Sequence, residues 1–338
     1  MSDRATLAQA FLDRAGWGTA RRAFLAGDAS DRSYDRLWRG TNSAVLMDAP
    51  PGRGDDPADF ITVAVHLARL GLSSPRILAQ DLANGFLLIE DFGDRLFARV
   101  IAEYPTRERA LTLAATDVLI TLQVHPAPPG LPDPSAEAWA QAAAFVLEFY
   151  ASAITGQRTD PTDFTQTLTQ AIKSHADGPR VMILRDYHAE NLLDLPDRSG
   201  VARVGLLDFQ LAQMGQPGYD LISLIQDARR DVTPELAEVA ALHFAKSTGR
   251  DPKAFAASLA VLGAQRALRI LGIFARLCVV GGKPAYLRLI PRVWGHLQAN
   301  LAHPALADLA RVCADLLPAP TSAHLERIAA QCATLPSR

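Results

Sequence analysis

Lysine is nearly missing from this chain. Of its 34 basic residues only Lys173, Lys246, Lys253 and Lys283 are lysines, and the first half has none. Any chemistry that needs an ammonium group from the N-terminal half is thereby excluded. Cysteine is also scarce: Cys278, Cys313 and Cys332 are far apart and confined to the last quarter. Such a set is neither a disulfide framework nor a zinc site, so a reducing compartment is expected. The formal net charge of -2 leaves no basic footprint for nucleic acid. Aromatic residues are 7% of the chain, few for a cage around a quaternary amine. The N-terminus carries Asp3, Arg4, Asp13 and Arg14 and no apolar secretory core. No run of about eighteen apolar residues stands out, so no membrane span is expected. What remains is a chain of 338 residues, 49% hydrophobic and 21% charged, long enough for two lobes with a sizeable core. A cytoplasmic protein is expected.

The most informative stretch present is Arg185-Asp186-Tyr187-His188-Ala189-Glu190-Asn191, followed by Leu206-Leu207-Asp208-Phe209. An Asp, an Asn five residues on, and a second Asp after an apolar run form the layout of a phosphoryl-transfer centre. Asp186 is the candidate base, which orients an acceptor hydroxyl and takes its proton. Asn191 and Asp208 are the candidate Mg²⁺ ligands, since that ion takes hard oxygens and completes its shell with water and phosphate. Singly, each also reads as a turn or capping residue. The joint spacing favours the chemical reading.

Other segments are candidates around that centre. Ser30-Asp31-Arg32-Ser33 reads either as a phosphate loop, with Arg32 or Arg36 supplying charge, or as an ordinary turn. Glu90 and Phe92, in Leu87-Leu88-Ile89-Glu90-Asp91-Phe92-Gly93, end an apolar strand whose backbone can pair with an adenine edge or simply link two lobes. Arg185, Tyr187, His188 and Glu190 flank the base and are candidate substrate contacts. Asp220, in Gly218-Tyr219-Asp220-Leu221, is a candidate for capping a helix, bracing the catalytic loop or meeting substrate. Buried arginines at 266, 269 and 276 are expected to sit in ion pairs.

Periodicity predicts a helix over 5–25, strands over 34–39 and 43–47 around Gly40-Thr41-Asn42, a helix over 59–70, and strands over 77–79 and 86–89. From about residue 96 the pattern is mostly helical, with short strand-like runs over 181–184, 192–193 and 204–207 beside the catalytic candidates.

These residues resemble the aminoglycoside phosphotransferase and choline kinase branch of the protein-kinase-like fold. Val45-Leu46-Met47-Asp48-Ala49-Pro50-Pro51, Leu88-Ile89-Glu90-Asp91-Phe92-Gly93 and Leu184 to Leu192 are most similar to the anomeric N-acetylmuramate/N-acetylglucosamine kinases of cell-wall recycling. The resemblance implies an α+β, two-lobed fold. Residues 1–93 would form a small antiparallel-sheet nucleotide-binding lobe with the hinge, and residues 94–338 a large, mostly helical lobe with the catalytic loop. It also implies a monomer that uses ATP and Mg²⁺ to make an amino-sugar 1-phosphate. Rival expectations are a kinase of another small alcohol, such as an aminoglycoside or choline, and a catalytically silent nucleotide binder. An aminoglycoside site needs many carboxylates, and Glu190 and Asp194 leave it open. Two departures from the broader family stand out. Leu184 occupies the place of its usual histidine. Leu46-Met47-Asp48 occupies the place of its third-strand lysine, and the helix over 59–70 lacks the partner glutamate. Arg32 and Arg36 are the candidate replacement cations.

Overall fold

The computed structural model describes residues 3–27, 32–54 and 56–336. Backbone contacts group the chain into two compact units, one of residues 1–131 and 184–213, the other of 132–183 and 214–338. The boundary expected near Gly93 therefore falls inside the first unit, and the segment 184–213, with the catalytic candidates, belongs to the same unit as the sheet.

The first unit is built on a five-stranded sheet. Its strands are β1 (Arg21–Gly27), β2 (Ser33–Arg39), β3 (Asn42–Asp48), β4 (Ile77–Asp81) and β5 (Phe86–Glu90), in spatial order β1-β2-β3-β5-β4. All neighbours are antiparallel. The β2–β3 turn is the one expected: Gly40 adopts φ of +60°, a left-handed value that costs glycine little. The central strands β3 and β5 each bury four consecutive residues, because both faces of the sheet are covered there. One face packs on the first helix, α1 (Arg4–Arg14), through Phe11, Leu12, Leu37, Leu46, Phe86 and Leu88.

The helix expected over 5–25 is shorter, and its second half is strand β1. Gly16, at φ +75°, closes the helix, and Trp17 N–H caps it by donating to Leu12 O at 2.8 Å. The strand was hidden because it is an exposed edge, with charged Arg21 and Arg22 and no alternation of burial. This correction also moves the candidate phosphate loop, which now connects β1 to β2. Ser30 and Asp31 lie outside the described residues; Ser33 opens β2, in register with Gly27 and Asp48. The second helix, α2 (Pro57–Arg69), starts two residues before the expected Asp59, because Asp56 accepts from Ala58 N–H at 2.9 Å and Pro57 takes the first turn.

The second unit is helical. Its centre is the 28-residue helix Pro252–Val279, against which Ala136–Ala143, Val146–Ala151, Thr162–His175 and Ile290–Leu301 pack. A Cβ at Gly272 would lie 2.3 Å from the Phe145 carbonyl carbon, so only glycine allows that approach. By length and mean hydropathy the helix could cross a membrane, although Gln265, Arg266 and Arg269 interrupt its apolar run. Its most apolar window is 72% buried within the protein, which accounts for its composition as a core helix.

Among the partly buried groups of this unit is His296, whose Nε2 lies 3.4 Å from the Asp227 carbonyl. Burial pushes its pKa below the ordinary 6.5, and the charges of Arg266 and Arg292 push the same way. The unfolded chain therefore takes up a proton near 6.5 that the folded chain refuses, so stability falls as pH drops below that value. Thermal melts across this range should show a falling midpoint, and His296→Gln should flatten part of the slope. An unchanged slope in the variant would assign the acid sensitivity to another group.

Candidate active site

The catalytic loop enters through a backbone reversal. Arg185 sits at φ +72° and Asp208 at φ +56°, two of three non-glycine residues with positive φ among the described residues. Left-handed backbone at residues that are not glycine is held only by surrounding structure and gathers at functional sites. Around Arg185, Asp186 N–H donates to Leu184 O at 2.9 Å.

Asn191 ties this loop together. Its Nδ2 donates to the Asp186 carbonyl at 2.9 Å and lies 3.5 Å from Asp208 Oδ2. Its backbone N–H donates to His188 O at 2.8 Å, and its carbonyl accepts from Leu207 N–H at 3.0 Å. With the amide nitrogen turned to Asp186, the amide oxygen is the atom suited to a cation. Asp208 Oδ1 accepts from Gln210 Nε2 at 2.9 Å and from Arg32 Nη2 at 3.2 Å. Asp186, Asn191, Asp208, Gln210 and Arg32 thus form one connected group. No cluster of three His, Cys, Asp or Glu side chains suited to a metal occurs among the described residues. A carboxylate and an amide oxygen, with no soft ligand, fit Mg²⁺, which needs few protein ligands when phosphates complete its shell.

The flanking candidates divide by position. Tyr187 is 2% exposed and its hydroxyl donates to Ala115 O at 2.8 Å, so it anchors the loop to the helix Glu108–Gln123. His188 is buried, while Glu190 is exposed and Arg185 and Asp186 are partly exposed. Asp220 lies in the second unit, fully buried in the first turn of the helix Tyr219–Ile225. Arg266, in the same unit, donates to Ser223 Oγ at 2.8 Å.

Arg32 and Arg36 part company. Arg32 reaches the Asp208 carboxylate. Arg36 is held at the turn after β5, with Nη1 2.8 Å from Asp94 Oδ2 and Nε 2.9 Å from Asp91 Oδ2. The Asp94 hydrogen bond raises the Arg36 pKa and holds the Asp94 carboxyl below the ordinary carboxylate range. Where the family's lysine would stand, Asp48 accepts from Arg4 Nε at 2.8 Å. In place of an ion pair from α2, Phe60 stacks on Phe209 with ring centroids 4.8 Å apart. That contact fixes the segment bearing Asp208, just beyond the strand Val204–Leu206, by apolar packing in the absence of a charge pair.

Several braces are not legible in local sequence. Arg198 Nη2 donates to Glu90 Oε1 at 2.7 Å, and its guanidinium lies 5.0 Å from the Phe92 ring centroid. Asp194, which sequence alone left open as part of a polycation site, has a fully buried side chain ion-paired with Arg95 (2.7 Å), Arg107 (3.0 Å) and Arg203 (3.1 Å). Burial by itself would raise its pKa; the three arginines outweigh that and hold it below the ordinary value. It faces no polycation. Its position three residues after Asn191, following two apolar residues, is the one local hint of burial.

Comparison with known proteins gives the family. The chain is 38% identical to N-acetylmuramate/N-acetylglucosamine kinase of Caulobacter vibrioides, over 91% of this chain and 95% of that protein. It is 34% identical to the protein of the same name from Pseudomonas aeruginosa, over 89% and 91%. A crystal structure of a choline/ethanolamine kinase family protein from Mesorhizobium loti superposes with a TM-score of 0.61 at 16% identity, over 97% of this chain and all of that one. That likeness bears on fold alone and agrees with the α+β, protein-kinase-like class. A model of the phosphotransferase enzyme family matches residues 21–255, well over half the sequence. The chain belongs to the phosphotransferase enzyme family.

Proposed function

We propose that this protein transfers the γ-phosphoryl group of ATP to the anomeric hydroxyl of N-acetylmuramate or N-acetylglucosamine. The observation that carries the reading is the single hydrogen-bonded group in which Asn191 links the Asp186 loop to Asp208. The relatives in Caulobacter and Pseudomonas supply the acceptor class.

In this reading Asp186 orients the acceptor hydroxyl and receives its proton as the oxygen bonds to phosphorus and the bond to the ADP oxygen breaks. Such transfer depends mostly on positioning and charge stabilisation, so the base acts late. An anomeric hydroxyl is more acidic than other sugar hydroxyls and asks less of Asp186. Asn191 and Asp208 would hold Mg²⁺, which supplies positive charge to the phosphate oxygens when bound. Arg32, Ser33 and the loop before them would meet the phosphates. Arg36 would hold the turn at Asp91 and Asp94, and Glu90 and Phe92, braced by Arg198, would present their backbone to adenine. Arg185, Tyr187, His188 and Glu190 remain the candidates for the sugar side, Tyr187 through the position of the loop. Use of ATP fits a cytoplasmic enzyme, and by resemblance its product belongs to peptidoglycan recycling.

A coupled ADP-release assay over N-acetylmuramate, N-acetylglucosamine, choline and an aminoglycoside tests this. Turnover is expected with the two amino sugars and at background with the others. Preference for choline or the aminoglycoside would overturn the acceptor, and no turnover with any of them would favour a silent nucleotide binder.

A further inference from the structure

The ion pair between Arg32 and Asp208 spans 176 residues of sequence and is asymmetric. The arginine side chain is 3% exposed and that of Asp208 34%. A guanidinium keeps its charge at any pH a protein experiences, and burial denies it the water that would otherwise solvate it. The carboxylate is open enough for a further cation to approach, yet it already carries one at Oδ1. A divalent ion drawn to the same oxygen meets the repulsion of the guanidinium at close range, where Coulomb terms are large. Two cations can share that corner only when another anion joins them. Arg32 directly precedes β2, at the end of the loop assigned to phosphates, so a nucleotide would bring that anion within its reach.

We propose that Arg32 is a placeholder cation. It holds Asp208 in its left-handed backbone setting and opposes binding of a divalent ion alone. When nucleotide and ion arrive together, it passes its guanidinium from the carboxylate to the phosphates. The inference rests on the kinase reading above and adds to it a coupling: ion and nucleotide each bind more tightly in the presence of the other, and Arg32 carries part of that coupling.

Calorimetry on the full chain tests this, with Mg²⁺ alone, a non-hydrolysable ATP analogue alone, and both together. The wild type should bind Mg²⁺ alone weakly, with a nucleotide-to-metal coupling of about tenfold or more. Arg32→Met should tighten binding of Mg²⁺ alone several-fold, weaken the analogue and shrink the coupling. Arg32→Lys, which keeps the charge, should retain most of the wild-type pattern and serves if the methionine variant does not fold. Unchanged or weaker Mg²⁺ binding in Arg32→Met would overturn the placeholder role, as would a Lys variant that frees the metal site. A wild-type protein that binds neither Mg²⁺ nor the analogue would refute the kinase reading itself.

Discussion

Asp186→Asn is expected to lower kcat by about 10²–10⁴-fold, the range that one positioned general base contributes. The substitution keeps the size and the hydrogen-bonding reach of the side chain but removes its capacity to take a proton. The loop should keep its shape, because Asn191 grips the backbone carbonyl of residue 186 and leaves its carboxylate to other partners. Tyr187 and the strand pairing of Leu192 with Leu206 hold either flank independently. Melting temperature and ATP affinity should therefore stay near wild type, and KM for the sugar should move far less than kcat. That pattern marks an interaction made in the transition state. A variant within a few-fold of wild-type turnover would remove Asp186 from the role of base.

The largest effect on stability is expected at Asp194. Three guanidinium groups, 31–46% exposed, converge on a carboxylate that is fully buried. Asp194→Ala removes their shared anion from the interior. Breaking a buried ion pair costs about 3–5 kcal/mol; the arginines can turn to water, so the lower end applies, and a midpoint drop of about 4 °C follows for a chain of this length. The sign of the pH dependence is also fixed. The Asp194 carboxyl titrates below the ordinary 3.8 in the folded chain, so its contribution is complete above that value and is lost as pH falls through the lower folded pKa. Asp194→Asn should flatten that part of the acid limb. Because Asp194 closes the short strand that begins just after Asn191, and its N–H donates to Arg95 O at 2.9 Å, turnover should fall alongside stability. A variant as stable as wild type would reduce the arginine cluster to surface decoration.

Much of the site was legible because its chemistry demands short, fixed spacings. Asp186 and Asn191 are five residues apart on one loop, and Asp208 follows a strand that pairs with the one after Asn191. A hairpin turn at Gly40 likewise leaves a local trace. What escaped detection is non-local or unpatterned. Strand β1 is an exposed, charged edge and has no period to read. The arginines that meet Asp194 come from positions 95, 107 and 203, and no window of sequence contains them together. Gln210 carries no local signal for its role, since only the fold brings its amide onto Asp208 Oδ1. The missing lysine, by contrast, is visible as an absence that leaves arginine as the cation of the first half, and of the two candidates Arg32 meets the Asp208 carboxylate and Arg36 does not. The helix Pro252–Val279 owes its apolar composition to burial in the core of its unit.

Phosphorus NMR of the product made from ATP and N-acetylmuramate or N-acetylglucosamine tests the central claim most directly. A new phosphate signal split by the anomeric proton is expected, and none should form when position 1 is blocked as a methyl glycoside. Phosphate appearing on another oxygen, or on the blocked sugar, would contradict the account.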